Sequence, residues 1–391
     1  MSEGEIAHRV GALHRSGIRR VMALAAERER LGHKIIHLEV GQPDFPTPPH
    51  IIEACFQAAR AGAIGYTPNA GITSLREAVA ERVTSRTGRT VTARNVCITS
   101  GAVNAIMLAL AAVVQPGAEV LIPDPGWPNY RSAVTLVGGR CIPYPMNRRN
   151  EFKLDIEALE RLITPATVAI LVNSPSNPTG TVLSRDEVLA IQTVARERNL
   201  WVISDEVYED FVFDGVKHQT FFTSDTDYRS LLVSGASKSW AMTGFRIGWL
   251  VGDPKVIDAA AALAEPQTSC PSNLSQVAAE VAVRGPQATV ETMRLAYEAR
   301  AVIVEDSLKD SGLLLARPKG AFYAMIDTRS TGMTDDRFVE ALMAEEGVAV
   351  APGDTFGQQA AGSIRVSLAS AAIELSAGLS RIERFISKAR Q

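Results

Sequence analysis

The chain has 391 residues, 46% hydrophobic and 21% charged, with Gly (29) and Pro (20) near ordinary usage, which excludes collagen-like and low-complexity classes. Lys plus Arg is 40 and Asp plus Glu is 43, a net charge of -3, so no nucleic-acid partner is expected. Cys55, Cys97, Cys141 and Cys270 fall singly without zinc or redox spacing, the N-terminus holds no signal-peptide core, and the longest apolar run (105–114) is too short for a bilayer, so a cytoplasmic enzyme with no membrane contact is expected.

Residues 18–31 read as a helix and 35–40 as a short strand, after which GQPDFPTPP breaks all regular structure. Helices are expected at 51–61 and 74–87. A strand at 96–99 is followed by a helix at 102–114, strands at 120–123 and 140–144, and a short helix at 156–162. Next come a strand at 168–173, a helix at 185–198, and strands at 201–204, 231–234 and 247–251. Continuous apolar strands alternating with helices predict a three-layer α/β/α unit, its central sheet mostly parallel and covered on both faces. Beyond it, a helix at 288–311, strands near 320–326, 348–352 and 363–368, and a last helix at 372–388 read as a smaller α+β unit.

Four segments carry chemistry. In ITSGAVNAIMLAL a strand turns through Gly101 into a helix starting at Ala102, whose free N–H groups could hold a phosphate. In SGASKSWAMTGFRIGW, Lys238 follows a strand and is crowded by Trp240, Met242, Phe245 and Trp249, which suits a Schiff-base lysine, and Arg246 could fork a phosphate. Asp205 and Tyr208 follow the strand WVIS, where open α/β sheets bind ligands, and a carboxylate there could hold a pyridinium nitrogen protonated. The loop NSPSNPTG, residues 173–180, also follows a strand. The six histidines fall outside these segments, and none has metal-ligand or triad spacing.

Taken in order, GQPDFPTP, YTPNAG, SGAVNA, NSPSNPTG, SDEVYED, SGASKSWAMTGFRIGW and RVSLA resemble the class I/II aminotransferases, fold-type-I enzymes that use pyridoxal 5′-phosphate. The resemblance spans about residues 35–369. It implies that Lys238 holds the cofactor and shuttles a proton, that Asp205 pairs with the ring nitrogen, and that Tyr208 and Asn177 bond the ring oxygen. It assigns Trp127 to stacking on the ring, and Gly101, Ala102, Ser237 and Arg246 to the phosphate. The family usually has a hydroxyl where this chain has Gly235, which makes the part of Ser237 less secure than that of Arg246. Arg365 matches the arginine that binds the substrate α-carboxylate, with Gly41 and Asn177 beside it. Tyr66 matches the tyrosine that reaches the phosphate of a neighbouring subunit, which implies a homodimer. The motifs divide the chain into a large domain, 45–285, and a discontinuous small domain, 1–44 with 286–391, holding substrate between them.

The implied reaction is ping-pong transfer of an amino group from an L-amino acid to a 2-oxo acid. A β-lyase, cyclase or hydroxylase on the same scaffold would share Lys238, Asp205 and Arg365. Bacterial aspartate aminotransferases of this subgroup often carry a lysine where this chain has Val103. Val103, Asn104, Ile18 and Trp127 therefore suggest a neutral or aromatic side chain, with an aspartate-type substrate still open.

Overall fold

The computed structural model describes residues 8–11, 13, 17–223 and 229–390. Of the segment assigned above to the small domain, residues 1–7, 12 and 14–16, His14 among them, lie outside the described residues.

In chain order the strands are β1 (Ile36–His37), β2 (Val96–Thr99), β3 (Glu119–Asp124), β4 (Arg140–Asn147), β5 (Lys153–Leu154), β6 (Thr167–Asn173), β7 (Trp201–Asp205), β8 (Ser230–Gly235), β9 (Gly248–Val251), β10 (Tyr323–Asp327), β11 (Val348–Ala349), β12 (Ala351–Pro352) and β13 (Ser363–Ser367). Eight of them form one sheet in the order β2-β9-β8-β7-β6-β3-β4-β5. Strands β8, β7, β6, β3 and β4 run parallel, and β9 and the edge strand β5 oppose their neighbours.

Alternation along β6 explains why its run is apolar throughout. Ala169 and Leu171 enter the core on one face, with the helix Ala102–Val113 and its neighbours. Ile170 and Val172 enter the core on the other, with the helix Arg185–Glu197. Successive residues of a strand point to opposite faces, so only a strand covered on both sides has no polar positions. The Arg185–Glu197 helix starts where the sequence allows it to: Ser184 and Glu187 form a capping box that satisfies two first-turn amides.

The remaining strands make two small sheets, β1 parallel with β11 and β10-β13-β12 antiparallel. They share a core with the helices Ala288–Leu308, Asp335–Glu346 and Ala372–Ala389. The N-terminal helix Gly17–Arg30 buries Val21 and Ala25 and is tied to the Asp335–Glu346 helix by ion pairs from Arg20 to Asp336 and Glu340. Beyond β1 the chain runs beside β13, where the Ser367 amide donates to the Leu38 carbonyl at 2.7 Å.

Three expectations are corrected. The strand expected over 35–40 is only Ile36–His37, because the chain leaves β11 there to bond β13. The strand expected over 348–352 is two dipeptide strands in different sheets, with Val350 between them. The strand placed at 320–326 starts only at Tyr323, since Ala321 has φ +56° and Gly320 bridges to Val212 instead. Among the described residues no helix is long and apolar enough to cross a membrane.

Candidate active site

The parallel strands end side by side, with Asn173 of β6 in register with Asp205 of β7, and Asp205 with Val233 of β8. A cavity of about 620 Å³ opens beyond those ends, at the edge of the sheet where doubly wound folds bind ligands. Lys238, Asp205, Tyr208, Asn177, Trp127, Ala102, Ser237, Arg246, Gly41 and Arg365 all line it. Of the residues singled out from sequence, Gly101 lies directly behind this wall, and Tyr66 stands apart from it.

Lys238 follows β8 on the four-residue helix Ala236–Ser239. Its Nζ donates to the Gly41 carbonyl at 2.7 Å and stands 5.7 Å from the Phe322 ring centre and 5.9 Å from that of Tyr208. Burial lowers its pKa to about 8, the positive charges of Arg365 and Arg246 add to the shift, and Asp205 opposes it. Gly235, at the end of β8, has a close neighbour in β9. A Cβ there would lie 2.8 Å from the Ile247 carbonyl oxygen and 2.9 Å from Gly248 Cα, so the tight β8–β9 pairing leaves no room for a side chain.

Asp205 is buried, and burial pushes its pKa up to about 6 against the Tyr130 hydroxyl and the Val207 amide, which favour the anion. The Tyr130 hydroxyl donates to Oδ2 at 2.6 Å, and the Val207 amide to Oδ1 at 3.3 Å. Tyr130 was not singled out from sequence. It begins the helix Asn129–Leu136 close to Trp127, and the two rings meet edge to face at 5.4 Å. Trp127 itself is half-buried on the cavity wall.

At the end of β2, Gly101 takes φ +83°, a conformation open to glycine, and starts the Ala102–Val113 helix. A methyl on Gly101 would overlap the Arg246 guanidinium. First-turn amides and a guanidinium therefore converge on one small space, and Ser237 borders the same cavity. Arg246 is exposed and donates to the Thr243 carbonyl at 3.0 Å.

Arg365 comes from the centre of the small sheet, opposite Met325 and Ala351. It is buried, stacks 4.3 Å over the Tyr323 ring, and bonds Asn177 Oδ1 at 3.0 Å through Nη1 and the Glu39 carbonyl through Nη2. Its Nε is buried without a partner. Tyr323 also escaped the sequence reading. Its hydroxyl meets that of Tyr208 at 2.9 Å and lies so close to Gly41 that any side chain there would overlap it. Burial raises the Tyr208 phenol well above its ordinary range, so it is a neutral donor. Tyr66 is 92% exposed.

Residues 33–382 match the family described as aminotransferase class I and II. The chain is 37% identical to aromatic-amino-acid aminotransferase 2 of Thermococcus litoralis, covering 97% of this chain and 98% of that one. It is 36% identical to the aspartate aminotransferase of Pyrococcus abyssi, covering 97% of each. The structure of Thermus thermophilus aspartate aminotransferase with maleate superposes with a TM-score of 0.93 at 36% identity, over 97% of this chain and 99% of that one. The chain belongs to the class I and II aminotransferases. Its activity is amino-acid transamination.

Proposed function

We propose that this aminotransferase works with pyridoxal 5′-phosphate held in the 620 Å³ cavity, moving an amino group from an L-amino acid to a 2-oxo acid in two half-reactions. The observation that carries the reading is Lys238: a half-buried amine with its pKa lowered to about 8, in one cavity with Asp205, Arg246 and Arg365. The donor set fits this cofactor. The Gly101 turn, the amides of Ala102 and Val103, Ser237 and Arg246 match a phosphate. The buried Asp205 carboxylate matches a ring nitrogen that carries a proton, and Tyr208 and Asn177 supply donors for the ring oxygen. Trp127 offers a flat wall.

When bound, the cofactor supplies an aldehyde for amine exchange and a ring that takes up the electron pair left as the substrate Cα loses its proton. The chain's own residues do the rest. Lys238 Nζ, neutral in a useful fraction near pH 8, takes the Cα proton and later gives it back. Arg365 is held by Asn177 and Glu39 with Nε unpaired, and it fixes the α-carboxylate so that the Cα–H faces Lys238. Tyr130 keeps Asp205 ionised and oriented. Residues 45–285 form the cofactor-holding domain, and 1–44 with 286–391 form the domain that brings Arg365. Exposed Tyr66 completes the phosphate site of a second copy in a homodimer, and a cytoplasmic setting suits the four unpaired cysteines.

The test is one half-reaction. The reconstituted enzyme receives an L-amino acid and no oxo acid, and absorbance and product are read together. Stoichiometric pyridoxamine phosphate with the matching 2-oxo acid supports the reading. Release of ammonia or of an eliminated side-chain fragment contradicts it.

A further inference from the structure

A second cavity, of about 430 Å³, is bordered by Arg82, Arg86, Glu209 and Asp210 and shares no lining residue with the cofactor cavity. These four charged groups have no part in the proposed function. Arg82 and Arg86 lie one turn apart on the helix Thr73–Thr87. Arg82 Nη2 stands 2.6 Å from Asp210 Oδ2 and 3.5 Å from Glu209 Oε1. Arg86 Nη1 stands 3.0 Å from Glu209 Oε2, and its Nη2 donates to Asp210 Oδ1. Arg82, Glu209 and Asp210 are each at most 10% exposed. Taking such charges out of water costs about what their mutual attraction returns, so stability alone is a weak reason for the cluster.

Besides pairing with the arginines, the two carboxylates hold the segment that carries Lys238. Glu209 accepts the Ser234 hydroxyl at 3.4 Å, and Asp210 accepts the Ser239 hydroxyl. Ser234 lies near the end of β8, Ser239 ends the four-residue helix that follows, and Lys238 lies between them. Arg82 also stacks 4.9 Å over the ring of Trp240, the next residue. A helix of four residues has too few internal bonds to hold its own shape, so its outside contacts fix it. The two acids are themselves firmly placed. They follow Asp205 and Tyr208 in SDEVYED, where the Glu209 amide donates to the Glu206 carbonyl at 2.9 Å and the Phe211 amide to the Tyr208 carbonyl at 2.8 Å. One segment thus presents Asp205 and Tyr208 to the cofactor cavity and Glu209 and Asp210 to the lysine-bearing helix. Burial pushes the Asp210 carboxyl up, but Arg82 and Arg86 outweigh it and hold the pKa below its ordinary value, so Ser239 meets an anion.

We propose that Asp210 is a positioning residue for proton transfer: held by Arg82 and Arg86, it anchors Ser239 and so fixes Lys238 relative to Asp205 and Tyr208. Glu209 adds a second, longer tie at the other end of the helix through Ser234. The base must face the substrate Cα–H closely, and a displacement of about 1 Å costs on the order of a hundredfold in rate.

This inference rests on the amino-transfer reading, so its test keeps the two apart. Holoenzymes of wild type, Asp210→Ala, Asp210→Asn and Ser239→Ala are compared, each per mole of bound cofactor. Asp210→Ala leaves Arg82 short of a partner. Ser239→Ala keeps all four charges in place and decides the matter if Asp210→Ala fails to fold. The first readout needs no turnover: the circular dichroism of the cofactor's absorption band, which weakens when its point of attachment is loosened. The second is single turnover of an L-amino acid carrying hydrogen or deuterium at Cα. Ser239→Ala and Asp210→Ala should weaken the dichroism and slow single turnover about ten- to a hundredfold, with KM changed less than about twofold and the deuterium effect kept or enlarged. Asp210→Asn, which keeps an acceptor oxygen, should fall between them and wild type. Dichroism and rate equal to wild type in Ser239→Ala, with or without a lower thermal midpoint, or a loss carried by KM, overturns the inference and leaves the reading standing. If wild type binds the cofactor but converts no amino acid, the amino-transfer reading fails, and the dichroism still decides whether Asp210 fixes Lys238.

Discussion

The two ends of the cavity are built differently. At the cofactor end, Asn173 and Asp205 close strands locked in register, Lys238 sits on the short helix that follows β8, and each is fixed by a hydrogen bond: Asn173 Nδ2 to the Asp205 carbonyl at 3.0 Å, Tyr130 to Asp205 at 2.6 Å, Lys238 to Gly41 at 2.7 Å. At the substrate end, Ile18, Arg19 and Met22 come from a helix on the rim, and Arg19 is exposed. Chemistry common to every substrate requires preorganised groups, because a misplaced base loses the advantage of orientation. Hydrogen-bonded strand ends such as Asn173 and Asp205 serve the invariant part of the reaction, and the rim helix faces the part that varies.

That contrast can be broken by substitution, beginning with the largest effect. Lys238→Ala should abolish conversion of the bound cofactor by amino acids while leaving the cofactor bound through the phosphate cradle. Persistent turnover in a half-reaction assay would place the base elsewhere. Arg365→Ala should raise KM for every amino acid on the order of a hundredfold, the loss of a charge-assisted pair worth about 3 kcal/mol. The loss should be equal across substrates, and a loss that varied with the side chain would contradict a role on the α-carboxylate. Tyr130→Phe removes a donor that favours the Asp205 anion. The carboxyl should rise above about 6, moving the acid limb of cofactor binding to higher pH and costing about tenfold in affinity, read by titration with the cofactor.

The smallest effect belongs to His37, which is about 39% exposed and bridges Glu29 and Glu39. Its hydrogen bond to Glu39, helped by Glu29, raises its pKa from 6.5 to about 9 against burial. The stability it contributes is fully present below pH 6.5 and disappears as pH rises through about 9. His37→Gln should flatten that decline in a thermal-unfolding series, by a small margin because the pair is partly solvated. A decline of unchanged slope would assign the pH dependence to another group.

The cofactor end was legible in the sequence because each of its groups lies in a local pattern: a strand, a turn of small or polar residues, and a functional side chain at a fixed offset. The same locality revealed the parallel sheet, since a run such as Ala169–Val172 needs cover on both faces. What stayed hidden depends on contacts between distant parts of the chain. Arg365 bonds the Glu39 carbonyl across 326 positions, a pairing that follows from the residues after β1 running beside β13. Tyr323 meets Tyr208 across 115 positions. Tyr130 had a local signal, one helical turn from Trp127, yet nothing local marks Asp205 as its partner. Arg19 and Arg20 are identical as letters, and only the ion pairs of Arg20 to Asp336 and Glu340 tell them apart.

The central claim is that Lys238 holds the cofactor and moves the proton. Borohydride reduction of the reconstituted enzyme, followed by peptide mass mapping, tests it directly. The account predicts one phosphopyridoxyl group, on Lys238, that no longer forms once excess L-amino acid has been added. A label on any other lysine, or on Lys238 at the same level with the amino acid present, would contradict it.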